Sequence, residues 1–352
     1  MQTEVIQINP QIPEEEKIKQ AARIINKGGL VVIPTETVYG IAANMLNGKT
    51  IEQLYTLKKR PKDKPFSLHI SAKVEAEKYA IDILPFAFRL MEKFWPGPIT
   101  LVLKSKQNNK IGMRMPNHKV AVAIIQEAAC PVVCPSANLS GNSAPTTVQE
   151  VLNDLDGLVD LVVDTGKTAL GKESTVVDAT QLPIQILREG AITEDKIQEV
   201  VNHKVVLFVC TGNSCRSVMA KGLLEKKLKE KNRQNMEVLS AGMMMLDGLR
   251  VTDQTKELLA QEGIDVSYHR SQGINKDMLK KADLILVMEK NHEEKILQLV
   301  PEAKFRLFLL KEFAKIEDNN LEIVDPIGRN MEFYEQTFSV IKQAIERIAE
   351  II

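Results

Sequence analysis

The sequence predicts an α/β protein of two domains, a mixed α/β domain followed by a domain built on a parallel sheet. At 352 residues the chain is about twice a common domain length, so two domains are favoured over one. Strand-like apolar runs alternate with helical stretches, and this pattern restarts near residue 200. From there KVVLFV and ADLILV each carry a continuous apolar stretch, which is typical of parallel strands covered on both faces by helices. We therefore predict domains at residues 1–203 and 204–352.

In the first domain, EEEKIKQAARIINKG predicts an amphipathic helix that ends at a glycine, and GLVVIPTETVYG predicts a strand that runs into a loop. Further strand-like runs are ITLVLK, VAVAI, PVVCPSA, LVVDTG and STVVDAT. In the second domain, MEVLSAG predicts a strand, while MAKGLLEKKLKEKN, TKELLAQEG and the terminal EFYEQTFSVIKQAIERIAEII predict helices.

Composition limits the classes of protein to which the chain can belong. Hydrophobic residues make up 44% and charged residues 26%, which is ordinary for a folded chain and unlike a disordered one. The 46 acidic and 46 basic side chains balance, so net charge favours neither nucleic acid nor membrane as a partner. The N-terminus lacks a signal peptide pattern, and no apolar run nears the roughly 20 residues that span a bilayer. We expect a cytoplasmic protein.

Four cysteines, Cys130, Cys134, Cys210 and Cys215, are too few for a disulfide scaffold in a chain of this length. None of their spacings matches a zinc site, so protein ligands to a metal remain unknown. Reduced thiols are expected, and one of them is a candidate nucleophile.

The strand KVVLFV leads into a cysteine, five residues, an arginine and a serine, and a helix follows directly. The backbone N–H groups of such a loop surround a phosphate at a helix N-terminus, where the same field stabilises a thiolate. Cys210 is the predicted nucleophile, Arg216 the phosphate ligand, and Ser217 a donor to the sulfur. The loop between them consists of Thr211, Gly212, Asn213, Ser214 and Cys215. The alternative is a buried structural cysteine beside a solvated arginine.

The leaving group of a phosphoryl transfer needs a proton, which a thiolate cannot supply. Asp325, in LEIVDPIGRN, is the predicted general acid, because a rigid Asp-Pro loop presents its carboxyl group from a fixed backbone. The same carboxylate then activates water to hydrolyse the phosphorylated cysteine.

With this loop, the following helix and the downstream Asp-Pro, residues 204–352 resemble the low-molecular-weight protein phosphatase family. The resemblance implies a Rossmann-like parallel sheet, a cysteinyl-phosphate intermediate, phosphoprotein substrates and no cofactor. It also implies that Ser240, in LSAG, orients the loop residue Asn213.

Two positions bear on the substrate of such a phosphatase. Tyrosine phosphatases of this family usually carry a bulky aliphatic residue where Ser214 stands, and an aromatic residue soon after Asp-Pro, where Ile327 stands. The protein-arginine phosphatase branch has a small hydroxyl residue at the first position, so phosphoarginine is preferred and phosphotyrosine is the alternative. Arsenate reductases share the fold but use additional cysteines further along the chain, and none follows Cys215.

Polar clusters follow strand-like runs in the first domain: PTETVYG, KKRPKDKP, PSAN, KEST and LREG. Each alone is typical of a cap or a solvated loop. Together, K-x-R, S-x-N, STVVD and LREG in this order resemble the YrdC-like threonylcarbamoyl-AMP synthase family over nearly the whole domain, and FWPGPITLVL and Arg114-Met115-Pro116 fit the same family. The resemblance implies a mixed α/β domain with a twisted sheet. It also implies a nucleotidyltransferase that converts L-threonine, bicarbonate and ATP to threonylcarbamoyl-adenylate and pyrophosphate, with Mg²⁺ on the phosphates.

The adenylate feeds threonylcarbamoyladenosine modification of tRNA, so the tRNA-modification transferase machinery is an indirect partner and direct tRNA contact is open. In this family resemblance, cations neutralise the triphosphate, hydroxyl and amide groups bind near the nucleotide, and two residues lie beside threonine. These residues are Lys58, Arg60, Lys64 and Arg188; Ser136, Asn138 and Ser174; and Thr35 and His69. Arg114 is a further candidate for binding ATP or threonine. His69 has an equal alternative as a core histidine on an apolar strand.

The segment GKTALGKE nearly matches a Walker phosphate loop, but it ends in Glu173 instead of a hydroxyl residue and precedes a strand. ATP must bind elsewhere. The hypothesis is therefore a bifunctional enzyme with two independent active sites. The alternative is that the first domain is only an RNA- or nucleotide-binding module that targets the phosphatase. A hydrogenase-maturation carbamoyl transferase is rejected because its accessory zinc and acylphosphatase segments are missing. Oligomeric state and the reason for the fusion stay open.

Overall fold

The computed structural model describes residues 2–107, 109–244 and 247–352. It divides into two compact units, Met1–Val200 and Val201–Ile352. The sequence boundary between residues 203 and 204 lies just past this division and stays a prediction. Within the described ranges, no helix has the length and apolar character needed to cross a membrane.

The first unit carries ten strands. These are β1 (Glu4–Gln7), β2 (Val31–Ile33), β3 (Gly40–Asn44), β4 (Leu68–His69), β5 (Ile99–Lys104), β6 (Lys110–Arg114), β7 (Val132–Val133), β8 (Leu161–Asp164), β9 (Thr175–Asp178) and β10 (Gln185–Arg188). They form one sheet in the order β1-β8-β2-β3-β7-β4-β6-β5-β9-β10. Parallel pairs such as β1 with β8 occur together with antiparallel pairs such as β2 with β3, so the sheet is mixed. The predicted mixed α/β class of this unit is confirmed.

Helices cover this sheet. They are α1 (Glu15–Asn26), α2 (Gly48–Leu57), α3 (Ala76–Tyr79), α4 (Pro85–Phe94), α5 (Lys119–Ala128), α6 (Val148–Leu155) and α7 (Glu194–Asn202), the last of which runs across the division between the units. The alternating side chains of β2 enter two different cores: Val31 and Ile33 pack with α1 and α5, and Val32 packs with α2 and α6. The sheet is therefore buried on both faces.

The strand predicted at VAVAI is wrong, because this segment lies inside α5. Its apolar positions continue past the short run, and Val120, Ala121, Ile124, Ile125 and Ala128 are all buried. This spacing places them on one face of a helix, against α1. A five-residue apolar run has too little length to distinguish a buried helix from a strand.

The second unit is a four-stranded parallel sheet with the order β12-β11-β13-β14. Its strands are β11 (Lys204–Cys210), β12 (Met236–Gly242), β13 (Leu284–Val287) and β14 (Leu307–Leu309). Its helices are α8 (Arg216–Glu230), α9 (Asp253–Gln261), α10 (Lys276–Lys281), α11 (Lys290–Leu299), α12 (Leu310–Phe313) and α13 (Met331–Ile351). The predicted all-parallel sheet is confirmed.

Strand β11 is central and buried on both faces. Val206, Phe208 and Cys210 enter the core beneath α8 and α13, whereas Leu207 and Val209 enter the core on the opposite face. Because side chains alternate along a strand, Cys210 ends the row that faces α8. Cys210 is therefore fixed at the carboxyl end of a buried inner strand, where open parallel sheets bind ligands.

Candidate active sites

The loop after β11 connects the strand to the N-terminus of α8, which begins at Arg216. Asn213 has a left-handed backbone with φ of 51°, and its N–H points back to the Cys210 Sγ atom at 3.3 Å. Gly242 of β12 passes close behind the loop: a Cβ there would be 3.0 Å from the Gly212 carbonyl carbon. The strand-loop-helix order predicted from the sequence thus wraps backbone around the thiol.

Cys210 is buried, and its sulfur has two polar neighbours. The Ser217 hydroxyl lies 3.0 Å from Sγ, and the Asn213 N–H donates to the same atom. Ser217 lies in the first turn of α8 and Asn213 in the loop just before it, and at this helix N-terminus unpaired N–H groups and the helix dipole favour negative charge. The surroundings of Cys210 therefore suit a thiolate.

The side chain of Asn213 holds the loop in shape. Its Nδ2 donates to the Ser217 hydroxyl at 2.9 Å, and its Oδ1 accepts from the Gln272 backbone N–H at 3.0 Å. The Nε2 atom of His269 lies 2.9 Å from the Asn213 carbonyl oxygen. The predicted role of Ser240 is not found: its buried Oγ has no hydrogen-bond partner among the described residues. The Gln272 backbone occupies the acceptor of Asn213 instead.

Arg216 is fully buried, and its guanidinium faces the loop and two carboxylates. Nη2 donates to Thr211 Oγ1 at 3.0 Å and to Asp325 Oδ2. Nη1 donates to the Ile323 carbonyl at 2.6 Å and pairs with Glu289 Oε1 at 3.1 Å. The structure therefore brings together the predicted nucleophile loop, phosphate ligand and acid, although Asp325 lies far downstream in the chain.

The two positions expected to define the substrate lie at this site. Ser214 is buried, with 7% of its surface exposed, and its carbonyl accepts from Thr252 N at 3.2 Å. Ile327 is 59% exposed, and its N–H donates to Asp325 Oδ1 at 3.1 Å. A small hydroxyl residue thus stands in the loop, and an aliphatic side chain projects beside the acid.

Cys215 lies in the loop but points into the core. Its sulfur is 3.6 Å from the buried Tyr334 hydroxyl and 3.4 Å from Thr252 Oγ1. Burial raises the pKa of Tyr334 to about 12, so the phenol stays protonated and connects α13 to the loop. The four cysteines are free thiols.

The second candidate site is a cavity of about 190 Å³ in the first unit. Most of the predicted ATP- and threonine-binding residues line it: Thr35, Lys58, Arg60, His69, Arg114, Ser136, Ser174 and Arg188. Asn138 lies behind the wall, and Lys64 is exposed outside it, with its carbonyl accepting from Arg60 Nε at 2.7 Å. Residues that are spread along the chain from Thr35 to Arg188 therefore converge on one cavity.

Lys58 holds the segment that carries Ser136 and Asn138. Its ammonium donates to the Ser136 carbonyl at 2.9 Å, to the Asn138 carbonyl at 2.5 Å and to Asn138 Oδ1 at 2.9 Å. Ser136 Oγ donates to the same Oδ1 at 2.6 Å. Burial lowers the pKa of Lys58 to about 8. The three N–H groups are all directed at protein acceptors, so Lys58 organises the S-x-N segment.

A buried ion pair joins Arg114 Nη2 to Glu36 Oε1 at 2.7 Å beside the cavity. Glu36 Oε2 also accepts from the Asn117 N–H at 3.1 Å. His69 lies next to Arg114 in the β4–β6 register, and its Nδ1 has no hydrogen-bond partner in the described ranges. Burial, reinforced by the Arg114 charge, lowers the pKa of His69 to about 3, so the imidazole is neutral at pH 7.

The far wall of the cavity is formed by β9 and β10. Arg188 donates from Nη2 to the Ser174 carbonyl and hydroxyl at 2.9 and 3.1 Å, and from Nη1 to Glu173 at 2.6 Å. The Arg60 guanidinium lies 5.2 Å from the centroid of the Phe66 ring. These arginines are positioned by neighbours while their guanidinium groups still face the cavity.

Several residues at the two sites had no distinctive pattern in the sequence. Glu36 and Glu173 belong to segments that the sequence analysis noted, but their pairing with arginines was not predicted. In the second unit the missed residues are Gln272, His269, Glu289, His292 and Tyr334. Single polar residues in helices or loops give no spacing signal, so only the fold identifies them.

Comparison with known families places the two units separately. A family model described as telomere recombination, Sua5/YciO/YrdC, matches residues 23–190. A second, described as low molecular weight phosphotyrosine protein phosphatase, matches residues 205–352.

Individual relatives agree with this division. A threonylcarbamoyl-AMP synthase of Pyrococcus abyssi is 36% identical over 230 residues, which are 63% of this chain and 67% of that protein. A protein-arginine-phosphatase of Geobacillus stearothermophilus is 37% identical over 145 residues, covering 41% of this chain and 93% of that protein. The solved structure of P. abyssi Sua5 complexed with L-threonine is similar with a TM-score of 0.54 and 26% identity, over 87% of this chain and 99% of that one. The chain therefore belongs to the Sua5/YciO/YrdC family in its first part and to the low molecular weight protein phosphatase family in its second.

Proposed function

We propose that the chain is a bifunctional enzyme, with a protein-arginine phosphatase in residues 204–352 and a threonylcarbamoyl-AMP synthase in residues 1–203. The observation that supports the phosphatase most strongly is the convergence of Cys210, Ser217, Arg216 and Asp325 on one loop. This set contains a nucleophile, a donor to its sulfur, a phosphoryl ligand and an acid.

In the first step, the Cys210 thiolate attacks phosphorus and forms the S–P bond while the bond from phosphorus to the leaving group breaks. Asp325, in its protonated form, gives its proton to the leaving nitrogen or oxygen. Arg216 binds two phosphoryl oxygens and stabilises the negative charge that develops on them in the transition state. In the second step, Asp325 takes a proton from water, the water oxygen attacks phosphorus, and the S–P bond breaks to release phosphate and the thiolate.

Phosphoarginine is the proposed substrate, on the basis of Ser214 and Ile327. Ser214 puts a small hydroxyl side chain in the loop, and the exposed Ile327 provides an aliphatic surface in place of an aromatic ring for stacking. The relation to a protein-arginine-phosphatase supports this choice. Phosphotyrosine is the alternative substrate, and kcat/KM for matched phosphoarginine and phosphotyrosine peptides tests it. A higher kcat/KM for phosphotyrosine would contradict the proposal.

For the first domain, we propose synthesis of L-threonylcarbamoyladenylate and pyrophosphate from L-threonine, bicarbonate and ATP, as a step in tRNA threonylcarbamoyladenosine formation. The support is one polar cavity lined by Lys58, Arg60 and Arg188 for phosphate charge and by Thr35 and His69 for the amino acid. A Sua5 protein with bound L-threonine has a similar structure.

Magnesium is proposed to enter with ATP. The described residues contain no group of three or more carboxylate, histidine or cysteine ligands, and the carboxylate in the cavity wall, Glu173, is paired with Arg188. This fits an ion held chiefly by phosphate oxygens, as Mg²⁺ usually is in nucleotide enzymes. Magnesium would neutralise phosphate charge there, while Lys58 and Arg188 shape the cavity wall.

Pyrophosphate release from ATP that requires both threonine and bicarbonate tests the synthase. Folded protein that binds ATP without this turnover would instead support the alternative, in which the first domain is only an RNA- or nucleotide-binding module. Titration with tRNA in the same buffers tests the open question of direct tRNA contact.

A further inference from the structure

His292, on α11, is a buried histidine with no part in the phosphatase steps above. Only 1% of its surface is exposed, and it lies beside the loop that carries Cys210. Its Nε2 is 3.1 Å from Thr211 Oγ1 and 3.3 Å from Glu289 Oε2. Both of those residues also contact Arg216.

The contacts close a ring around the arginine. Arg216 Nη2 donates to Thr211 Oγ1, and Arg216 Nη1 pairs with Glu289 Oε1. His292 completes the ring, because its Nε2 contacts both Thr211 Oγ1 and Glu289 Oε2. Three side chains, from the loop after β11, the N-cap of α11 and α11 itself, therefore surround the Arg216 guanidinium, and His292 is the one that does not contact it by a hydrogen bond.

The proton arrangement of His292 follows from its neighbours. Nε2 faces a carboxylate and a hydroxyl oxygen, whereas the buried Nδ1 has no partner among the described residues. A buried N–H without an acceptor costs more than an unshared lone pair next to apolar groups, so the proton belongs on Nε2. Burial, together with the Arg216 and Lys295 charges, lowers the pKa of His292 to about 4. A neutral Nε2–H tautomer donates toward Glu289 and Thr211.

We propose that neutral His292 is a positioning residue for phosphoryl binding, which keeps Thr211 and Glu289 in the arrangement that orients Arg216. The inference rests on the proposed phosphatase function and concerns the phosphoryl group alone, whatever the leaving group. Without the Nε2–H, Glu289 is free to pair more fully with Arg216, and the guanidinium turns from the loop. Loss of His292 then lowers activity mainly by weakening the binding of the phosphoryl dianion.

The test compares His292→Leu, which keeps volume and removes the donor, with His292→Gln, which restores an N–H near the position of Nε2. For His292→Leu we expect KM for para-nitrophenyl phosphate and the inhibition constant of inorganic phosphate to rise about tenfold, with kcat changed about threefold or less. His292→Gln recovers most of the phosphate affinity. The exposed His203, 3.4 Å from Glu237, provides the matched control His203→Leu, which leaves both constants unchanged.

Two further measurements separate positioning from general damage. The loss in His292→Leu is equal for phosphoarginine peptide and para-nitrophenyl phosphate, because Arg216 binds the group that the two substrates share. In a Thr211→Val background, His292→Leu raises the inhibition constant of phosphate much less than in wild type, because Thr211→Val has already opened the ring. Additive losses, or wild-type phosphate inhibition in His292→Leu, would overturn the inference.

If His292→Leu does not fold, His292→Phe replaces it, since it keeps an aromatic ring, removes the same N–H donor and must weaken phosphate inhibition. Thr211→Val does not isolate His292 by itself, because it also removes the hydrogen bond from Arg216. The proposed function is tested separately by wild type. A wild-type chain that neither hydrolyses phosphoarginine nor is inhibited by phosphate contradicts the phosphatase itself. Normal wild-type activity with unaffected His292 and Thr211 variants contradicts only the role of His292.

Discussion

Arg216 donates a hydrogen bond from its buried guanidinium to Oδ2 of Asp325, so the phosphate ligand and the predicted acid are direct partners. A phosphoryl group in the loop competes for the same Nη2 atom. We therefore expect substrate binding to free the Asp325 carboxyl group from this hydrogen bond, so that it can face the leaving group.

Asp325→Asn keeps the size of the side chain and removes the proton that it transfers. We expect kcat for phosphoarginine peptide to fall about 10²- to 10³-fold, while para-nitrophenyl phosphate, whose leaving group needs little protonation, loses less in the first step. Burst kinetics on para-nitrophenyl phosphate measures that step separately from hydrolysis of the intermediate. An equal slowing of the first step for both substrates would show that Asp325 is not the acid.

Cys210→Ser removes the thiolate and leaves the loop backbone in place. Hydrolysis should fall below about 10⁻⁴ of the wild-type rate, because a serine hydroxyl in this loop has no base to activate it. Binding of inorganic phosphate, measured by calorimetry, should stay within about threefold, since Arg216 and the loop N–H groups remain. Cys134→Ser, a buried cysteine of the other unit, is the matched control and keeps phosphatase activity.

Ser214→Ile replaces the small hydroxyl side chain in the loop with a bulky aliphatic one. We expect kcat/KM for phosphoarginine peptide to fall, and the ratio of phosphotyrosine to phosphoarginine kcat/KM to rise about tenfold or more. Ser214→Thr, which keeps a hydroxyl group, is the comparison and retains the phosphoarginine preference. An unchanged ratio in Ser214→Ile would mean that the loop position does not select the substrate.

Lys58→Met removes the ammonium that the Ser136–Asn138 segment surrounds. Because that ammonium satisfies three buried oxygens, we expect pyrophosphate release dependent on threonine and bicarbonate to fall about 100-fold or more. Lys62→Met removes a lysine from the same charged run, where Lys62 pairs with exposed Glu52, and keeps activity. Equal activity in both variants would contradict a role for Lys58 in shaping the cavity.

The pKa of His69 predicts how the first unit responds to acid. Its folded-state pKa of about 3 lies below the ordinary value of 6.5, so the unfolded chain binds more protons at pH between these values. The free energy of unfolding therefore falls as pH drops from 6.5 toward 3, by about 5 kcal/mol from this group, and levels off below that range. His69→Leu removes this contribution and makes the pH dependence less steep.

Fluorescence of Trp95 measures this transition selectively, because it is the single tryptophan of the chain and is buried in the first unit. Urea unfolding of the full chain at several pH values gives the free energy at each. The pH dependence of the free energy of unfolding that remains in His69→Leu is assigned to other groups. One of them is His118, because burial also lowers the pKa of its imidazole. An identical slope in both proteins would mean that His69 takes up its proton in the folded state.

The sequence alone determined the local parts of both sites. The strand, loop and helix around Cys210 are contiguous, so hydrophobic pattern and turn residues fix the nucleophile, the phosphate ligand and their order. The parallel sheet of the second unit and the α/β class of the first followed from the alternation of strand-like and helical segments. The short run VAVAI was misassigned because its length carried no periodic information, and the edge strand Glu4–Gln7 was missed because it is mostly exposed.

Only the tertiary structure decided which distant side chains meet. Asp325 reaches Arg216, Lys58 reaches Asn138, and Gln272, not Ser240, holds Asn213, across separations that no spacing rule spans. Such contacts depend on how helices and strands pack, and packing is fixed by the whole core instead of by any one segment. Burial of a charge without a partner is costly, so the buried guanidinium of Arg216 is paired with carboxylates that lie far away in the chain.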